Sequence, residues 1–397
     1  MTATSPAKGE AQGQSKQMDP LTHGILGGVT AYAAVGGRTP WAAVVGVLAG
    51  MAPDLDVFVR PNGDPLGGLS YHRSFTHALV VVPLGAALCA LPFLPWRAFA
   101  GRAWLVLVAA LVAYGAHGLL DAFTSYGTEL GWPFTRARVA FDTISIIDPL
   151  FTAVLLAGLI WALVAGKPNL ARAALGVAAL YLAFGGLQHF RGARAQRDLA
   201  NIRGHTLVRG RVMPTLGNLV IWNSVYESDG RLYTDSLRVP VVGQPQVRVG
   251  SSGERATLET LRQRGHDSPA VIAAFERFSW FADGYTAFDP RSQRLIGDMR
   301  YWVEPEKFTA MWGLELPHPA HDAPALNTNP EKAVAAGRAD RDSARPRFVH
   351  LYRNSRRNVL SEIWEALRGR DAQFRPLVEI RRAAAVSSPH GSRAAES

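Results

Sequence analysis

The hydrophobic pattern changes character part-way along the chain. Up to about residue 190, long apolar runs at 78–94, 103–116, 150–165 and 170–187 carry almost no ionisable side chain and are separated by short polar breaks. A helix needs about 20 residues to cross the hydrocarbon core of a bilayer, so these runs predict about four transmembrane helices. Two earlier apolar segments, 21–35 and 41–51, are too short for this, and the Gly and Pro residues at 36–40 mark a break between them. They predict a re-entrant or short helical hairpin that returns Asp54 to the side of His23. One tilted span over 21–52 would separate the two.

Beyond Arg191 the period falls to two. Segments 206–213, 218–226 and 231–239 alternate β-branched or aromatic residues with polar ones, and Ser228-Asp229-Gly230 is a hairpin-type turn. A second strand pair is expected at 284–288 and 294–302, flanked by helical patterns at 254–264 and 269–278. The fold class is therefore an α-helical polytopic membrane domain, with a hairpin plus about four spans, followed by a soluble α+β domain. The expected organisation is a disordered extension over 1–17, a membrane domain over 18–190, and an α+β domain over 191–383 containing a Pro/Ala-rich loop at 316–347. A disordered tail follows over 384–397. Segment 355–367 places Val359, Leu360, Ile363, Trp364 and Leu367 on one face and reads as an amphipathic helix packed on its own domain.

Composition sharpens this division. The chain has 397 residues, 48% of them hydrophobic and 19% charged, an apolar excess that belongs to the first half. Its net charge of +10 falls partly on Arg191, Arg194, Arg197, Arg203 and Arg209, just past the last apolar run. Such a cluster marks the cytoplasmic side of a membrane, and this reading is preferred to nucleic-acid binding. The single Cys89 excludes an intrachain disulfide. The first seventeen residues lack the apolar core of a signal peptide.

Chain parity brings His23, Asp54, Asp56, His72, His77, His117 and Asp121 to one membrane face. Imidazoles and carboxylates together are the donor set of divalent metal sites in hydrolases. His117 and Asp121, four apart on a helix, share a face. An extended stretch at 54–56 would present both carboxylates on one side, and Ser74 is placed as the N-cap of a helix whose first turn holds His77. Arg73 is a candidate for steadying a phosphate oxygen, and whichever of Asp54, Asp56 or Asp121 is not a ligand is a candidate base. Asp148, before Pro149, suits a helix cap.

The stretches MDPLTHG at 18–24, PDLD at 53–56, YHRSFTH at 71–77 and HGLLD at 117–121 resemble the YdjM-like family, described as LexA-regulated, membrane-bound, predicted metal-dependent hydrolases. SWFADG at 279–284 and GDMRY at 297–301 are similar to the C-terminal part of its longer members. The resemblance implies a metal and hydrolysis without supplying a substrate. A more distant likeness to zinc phospholipase C and single-strand nuclease folds points to phosphate esters.

The expected function is thus a metal-dependent hydrolase of the bacterial inner membrane with its C-terminal domain in the cytoplasm. Its site would use zinc or manganese, with Asp56, Asp121 and Arg73 in catalytic roles. The expected partners are the bilayer, a lipid-linked or phosphoester substrate, and a protein docked on the C-terminal domain. The alternatives are a non-catalytic anchor with a structural metal and a metal-ion transporter, the latter disfavoured because the last two runs lack ionisable groups near the midplane.

Overall fold

The computed structural model describes residues 20–58, 72–302, 304–318, 346–351, 364–368 and 373–387. The expected extension 1–17 and most of the segments 316–347, 355–367 and 384–397 lie outside them. The chain forms two units, Met1–Gly185 and Gly186–Ser397, which divide within one long helix.

In the first unit, α1 (Pro20–Val35) and α2 (Ala42–Met51) form the expected hairpin. Their backbones touch. A Cβ on Gly46 would lie 2.2 Å from the Gly27 carbonyl oxygen, and one on Gly50 would lie 2.6 Å from that of His23. Small residues thus allow a close crossing that fixes His23 beside the end of α2. There the chain tightens into a 3-10 helix, Ala52–Phe58, rather than the extended stretch the Asp-Leu-Asp pattern suggested. Asp54 and Asp56 are still both buried, because Leu55 takes the exposed position between them.

The run at 78–94 yields a shorter helix than its hydrophobicity suggested. A 3-10 turn, Phe75–His77, precedes α3 (Val82–Ala90), which ends in a second 3-10 turn, Leu91–Phe93. Proline is tolerated in a first helical turn and disruptive further in, so Pro83 sits at the start while Pro92 and Pro95 close the helix. Ser74 makes no capping bond with its side chain, so the expected N-cap is absent. Asp148 does cap its helix, accepting the Phe151 amide at 3.0 Å.

Helices α4 (Ala103–Phe123), α5 (Pro149–Ala165) and α6 (Pro168–Ile202) follow. Among the described residues α4 and α6 are long and apolar enough to cross a membrane, while α5 and the α3 segment are shorter apolar helices. One buried cluster joins Ile25, Val29, Tyr32, Phe151 and Leu155, and a second joins Val45, Ala49, Leu105, Ala109 and Tyr114. The outer faces are also apolar, with Leu107, Ile160, Trp161, Val177 and Leu180 exposed. Lipid solvates such faces and water does not.

The second unit starts in the last part of α6. Strands β1 (Arg209–Pro214), β2 (Ile221–Ser228), β3 (Arg231–Arg238), β4 (Gln246–Arg248) and β5 (Ser252–Glu254) form an antiparallel sheet. Asp229 and Gly230 both have positive φ in the two-residue turn that joins β2 to β3. After α7 (Leu258–Gln263) and α8 (Pro269–Phe281), strands β6 (Thr286–Asp289), β7 (Ser292–Asp298), β8 (Trp312–Glu315) and β9 (Arg347–His350) make a second sheet. Finally β10 (Arg375–Pro376) joins β4 and leads into α9 (Leu377–Ser387). The α+β expectation and both hairpins are present.

Candidate metal centre

The site is assembled from four short pieces of the first unit. His23 stands in the first turn of α1, Asp54 and Asp56 on the 3-10 helix after α2, His72 to His77 before α3, and His117 and Asp121 in the last two turns of α4. Local packing fixes each. Tyr114 Oη donates to the Thr76 carbonyl at 2.9 Å, and a Cβ on Gly118 would lie 2.9 Å from the His77 carbonyl. The turn bearing His77 therefore rests directly on α4.

Five side chains converge. Asp121 Oδ1 lies 3.1 Å from His23 Nε2, and its Oδ2 lies 3.2 Å from both His77 Nε2 and Arg73 Nε. Asp54 Oδ1 lies 3.5 Å from His117 Nε2 and 3.8 Å from His77 Nε2. Candidate ligand atoms of His23, Asp54 and His117, and of His77, His117 and Asp121, lie within 4.8 Å of one another. All five residues are buried, with His117 and Asp121 at 0% exposure.

The outward hydrogen bonds identify the inward atoms. His117 Nδ1 donates to the Gly50 carbonyl at 2.6 Å, which leaves Nε2 with a lone pair. His77 Nδ1 lies 2.9 Å from Thr76 Oγ1, whose hydroxyl donates to Asp56 Oδ2 at 2.7 Å, so in the neutral ring its Nε2 also points inward as an acceptor. Those two Nε2 atoms are 2.9 Å apart. Two lone pairs at that separation repel unless a proton or cation lies near both. Both Asp121 oxygens, Asp54 Oδ2 and His23 Nδ1 are also buried without a well-formed hydrogen bond. Buried polar atoms in this state are costly, and a cation among them removes the cost.

Charge agrees with this. Three carboxylates (Asp54, Asp56, Asp121) and one guanidinium (Arg73) leave two negative charges among four imidazoles, which one divalent ion neutralises. Burial opposes charge on the His77 ring, but the carboxylates of Asp121 and Asp54 outweigh it and lift its pKa to about 9. Burial likewise works against ionisation of Asp54, yet the His117 and His77 rings hold its carboxyl well below the usual range.

His72 and Asp56 stand beside this group. Asp56 accepts from His72 Nδ1 at 2.7 Å, Thr76 Oγ1 at 2.7 Å and the Arg73 amide at 3.1 Å, so its oxygens are engaged. The His72 ring is 13% exposed and meets His77 edge-on, at the rim of the cluster. Arg73, with φ of 63°, places its guanidinium on Asp121, Thr124 Oγ1 (3.0 Å) and the Tyr126 ring (4.9 Å) rather than presenting it freely to a substrate. Thr76, Tyr126 and the Gly50 carbonyl were not assigned supporting roles from the sequence. The hydroxyl between two sequence-predicted ligands was the available signal for Thr76, and neither of the others carries one.

Residues 18–192 match the model of the YdjM inner membrane protein family, in agreement with the resemblance read from the four motifs. The chain is 39% identical over 97 residues to "Inner membrane protein YbcI" of Escherichia coli (strain K12), covering 23% of this chain and 53% of that protein. It is 32% identical over 160 residues to "Uncharacterized protein YfhP" of Bacillus subtilis (strain 168), covering 36% of this chain and 46% of that protein. The chain thus spans about half the length of the curated relatives it matches. No solved structure matches it.

Proposed function

Starting from a membrane unit of the YdjM inner membrane protein family, we propose that this protein is a metal-dependent hydrolase of the bacterial inner membrane, acting on a phosphoester or lipid-linked substrate at headgroup depth. The observation that carries the metal reading is the pair of inward Nε2 atoms of His77 and His117, 2.9 Å apart and flanked by the unsatisfied oxygens of Asp121 and Asp54. His23, Asp54, His77, His117 and Asp121 would hold the ion, and the mixed imidazole and carboxylate set suits zinc, or else manganese. A bound divalent cation supplies an acidified water and polarises a phosphoryl oxygen.

The remaining residues position and move protons. Asp56 fixes the His72 ring through Nδ1, which leaves Nε2 at the rim to accept a proton from water. Arg73 orients Asp121. The chain crosses the bilayer several times, and the C-terminal unit lies in the cytoplasm.

Burial of all five donors favours a second reading, a membrane anchor with a structural metal, because a structural shell is closed and a catalytic one keeps a position open. Metal analysis of detergent-purified protein, with His77→Ala and Asp121→Ala alongside, tests the shared premise: one zinc or manganese per chain is expected, lost in both variants. Hydrolysis of bis(p-nitrophenyl) phosphate by the loaded protein, abolished in His72→Ala with metal retained, selects the enzyme. Stoichiometric metal without hydrolysis selects the anchor, and a folded wild type that binds no metal refutes both.

A further inference from the structure

Helix α6 runs unbroken from an apolar first part into the C-terminal unit. From Pro168 to Leu187 it supplies twenty residues, about 30 Å of helix, which matches the hydrocarbon core. The sheet of the C-terminal unit begins immediately beyond. Gln188 Nε2 donates to the Leu219 and Val239 carbonyls, and His189 Nδ1 pairs with the Val212 carbonyl. Further along, Gln196 Nε2 reaches the Arg211 and Val225 carbonyls, and Arg203 reaches Tyr226 and Asp235. The strands thus run alongside this part of the helix, with the β1–β2 and β3–β4 connections level with Gln188 and His189, just past its apolar stretch. The β2–β3 turn lies at the far end.

Both near connections carry exposed apolar side chains on firmly held backbone. Leu216, 45% exposed, tips a loop closed from within by Asn218, whose side chain bonds Thr215 Oγ1 and the Val220 and Ile221 amides. Val241 and Val242, 63% and 87% exposed, tip a loop held by Arg191, whose guanidinium donates to the Pro240 and Gly243 carbonyls at 2.6 and 2.7 Å. The exposed Phe190 of α6 continues the same apolar level. Arg194 and Arg197 are exposed about 6 and 10.5 Å further along the helix axis from Phe190, the depth at which anionic headgroups lie.

We propose that the loops 214–220 and 239–243 insert Leu216, Val241 and Val242 into the acyl-headgroup boundary of the bilayer that α6 crosses, so that the C-terminal unit rides on the membrane surface. The occupant of this apolar edge is lipid, because the loops and Phe190 share the level at which the apolar stretch of α6 ends and are bordered by cations. The inference rests on α6 spanning the bilayer and is independent of the metal centre.

The test uses the full chain in nanodiscs of phosphatidylethanolamine and phosphatidylglycerol, on a Cys89→Ser background. An environment-sensitive fluorophore is attached to Leu216→Cys, Val242→Cys, Leu180→Cys or Val208→Cys. Leu180 is mid-span, and Val208 precedes β1 at the end of the sheet away from the bilayer. At Leu216 and Val242, as at Leu180, emission is expected to shift to the blue and to be quenched several-fold more by acyl-chain spin labels than by aqueous iodide, with the reverse at Val208. If Leu180 is lipid-quenched while Leu216 and Val242 behave like Val208, the surface docking is wrong. If Leu180 is iodide-quenched, the span on which it rests is wrong, and the docking falls with it.

Discussion

At His77 a proton and the proposed metal would compete for one nitrogen. Its folded pKa of about 9 exceeds the ordinary 6.5, so in chelated protein this ring contributes stability fully below about pH 6.5 and loses it as pH rises through 9. Metal binding must displace that proton. Apparent zinc affinity is therefore expected to rise about tenfold per pH unit between 6.5 and 9 and to level off above, while the melting temperature of chelated protein falls through the same window. Competition titration with a chelating dye, alongside thermal melts, checks both signs. Asp56 supports the proposed ligands His77, through Thr76, and Asp121, through Arg73, so Asp56→Asn is expected to weaken metal affinity by about 10–100-fold without abolishing binding. The meeting of these rings and carboxylates was legible in the sequence because polar rings at the ends of apolar runs need partners. The division into an inner five and an outer His72–Asp56 pair was not, since it depends on which nitrogen faces which oxygen.

The hairpin of α1 and α2 sets the distance from His23 to Asp54, and its crossing depends on glycines in contact. A Cβ on Gly46 would fall 2.2 Å from the Gly27 oxygen and 2.5 Å from Ala31 Cβ, so Gly46→Val must separate the helices. Overpacking of this kind costs about 1–3 kcal/mol, and it is expected to lower both the melting temperature and the bound metal. Gly176→Ala on α6 meets nothing within 4 Å and gains helix propensity, so it is expected to leave metal content unchanged and to melt no lower than wild type. A Gly46→Val protein with full metal would show that the hairpin does not set the site. Periodicity and the Gly-Gly-Arg-Thr-Pro break revealed this hairpin in advance. The lengths of the later helices were less legible, because hydrophobicity alone does not register where prolines stop a helix, as at Pro92.

Across the whole molecule, the course of the chain decides which compartment the metal centre faces. A Cβ on Gly185 of α6 would lie 2.1 Å from the Thr143 carbonyl, in the connection that follows Asp121, whereas Arg172 Nε near the start of α6 donates to the Ala33 carbonyl at the far end of α1. On the proposed multi-pass course, the last exit of the chain from the membrane is therefore on the face of the site. Among the described residues that face has Arg73, Arg136, Arg138, Arg191, Arg194 and Arg197, six cations against five (Arg38, Arg97, Arg102, Lys167 and Arg172) opposite. An excess of Lys and Arg marks the cytoplasmic side. A fluorescent protein fused after Ser397 is accordingly expected to fold and fluoresce, and an alkaline phosphatase fused there to stay inactive. In a Cys89→Ser background, Arg136→Cys on the site's face should resist a membrane-impermeant maleimide in intact cells, and Arg97→Cys on the other face should react. Were all four results reversed, the site would open to the periplasm and substrates confined to the cytoplasm would be excluded. A reversal at the fusions alone would mean that α6 ends on the side opposite the metal, contradicting the Gly185–Thr143 approach.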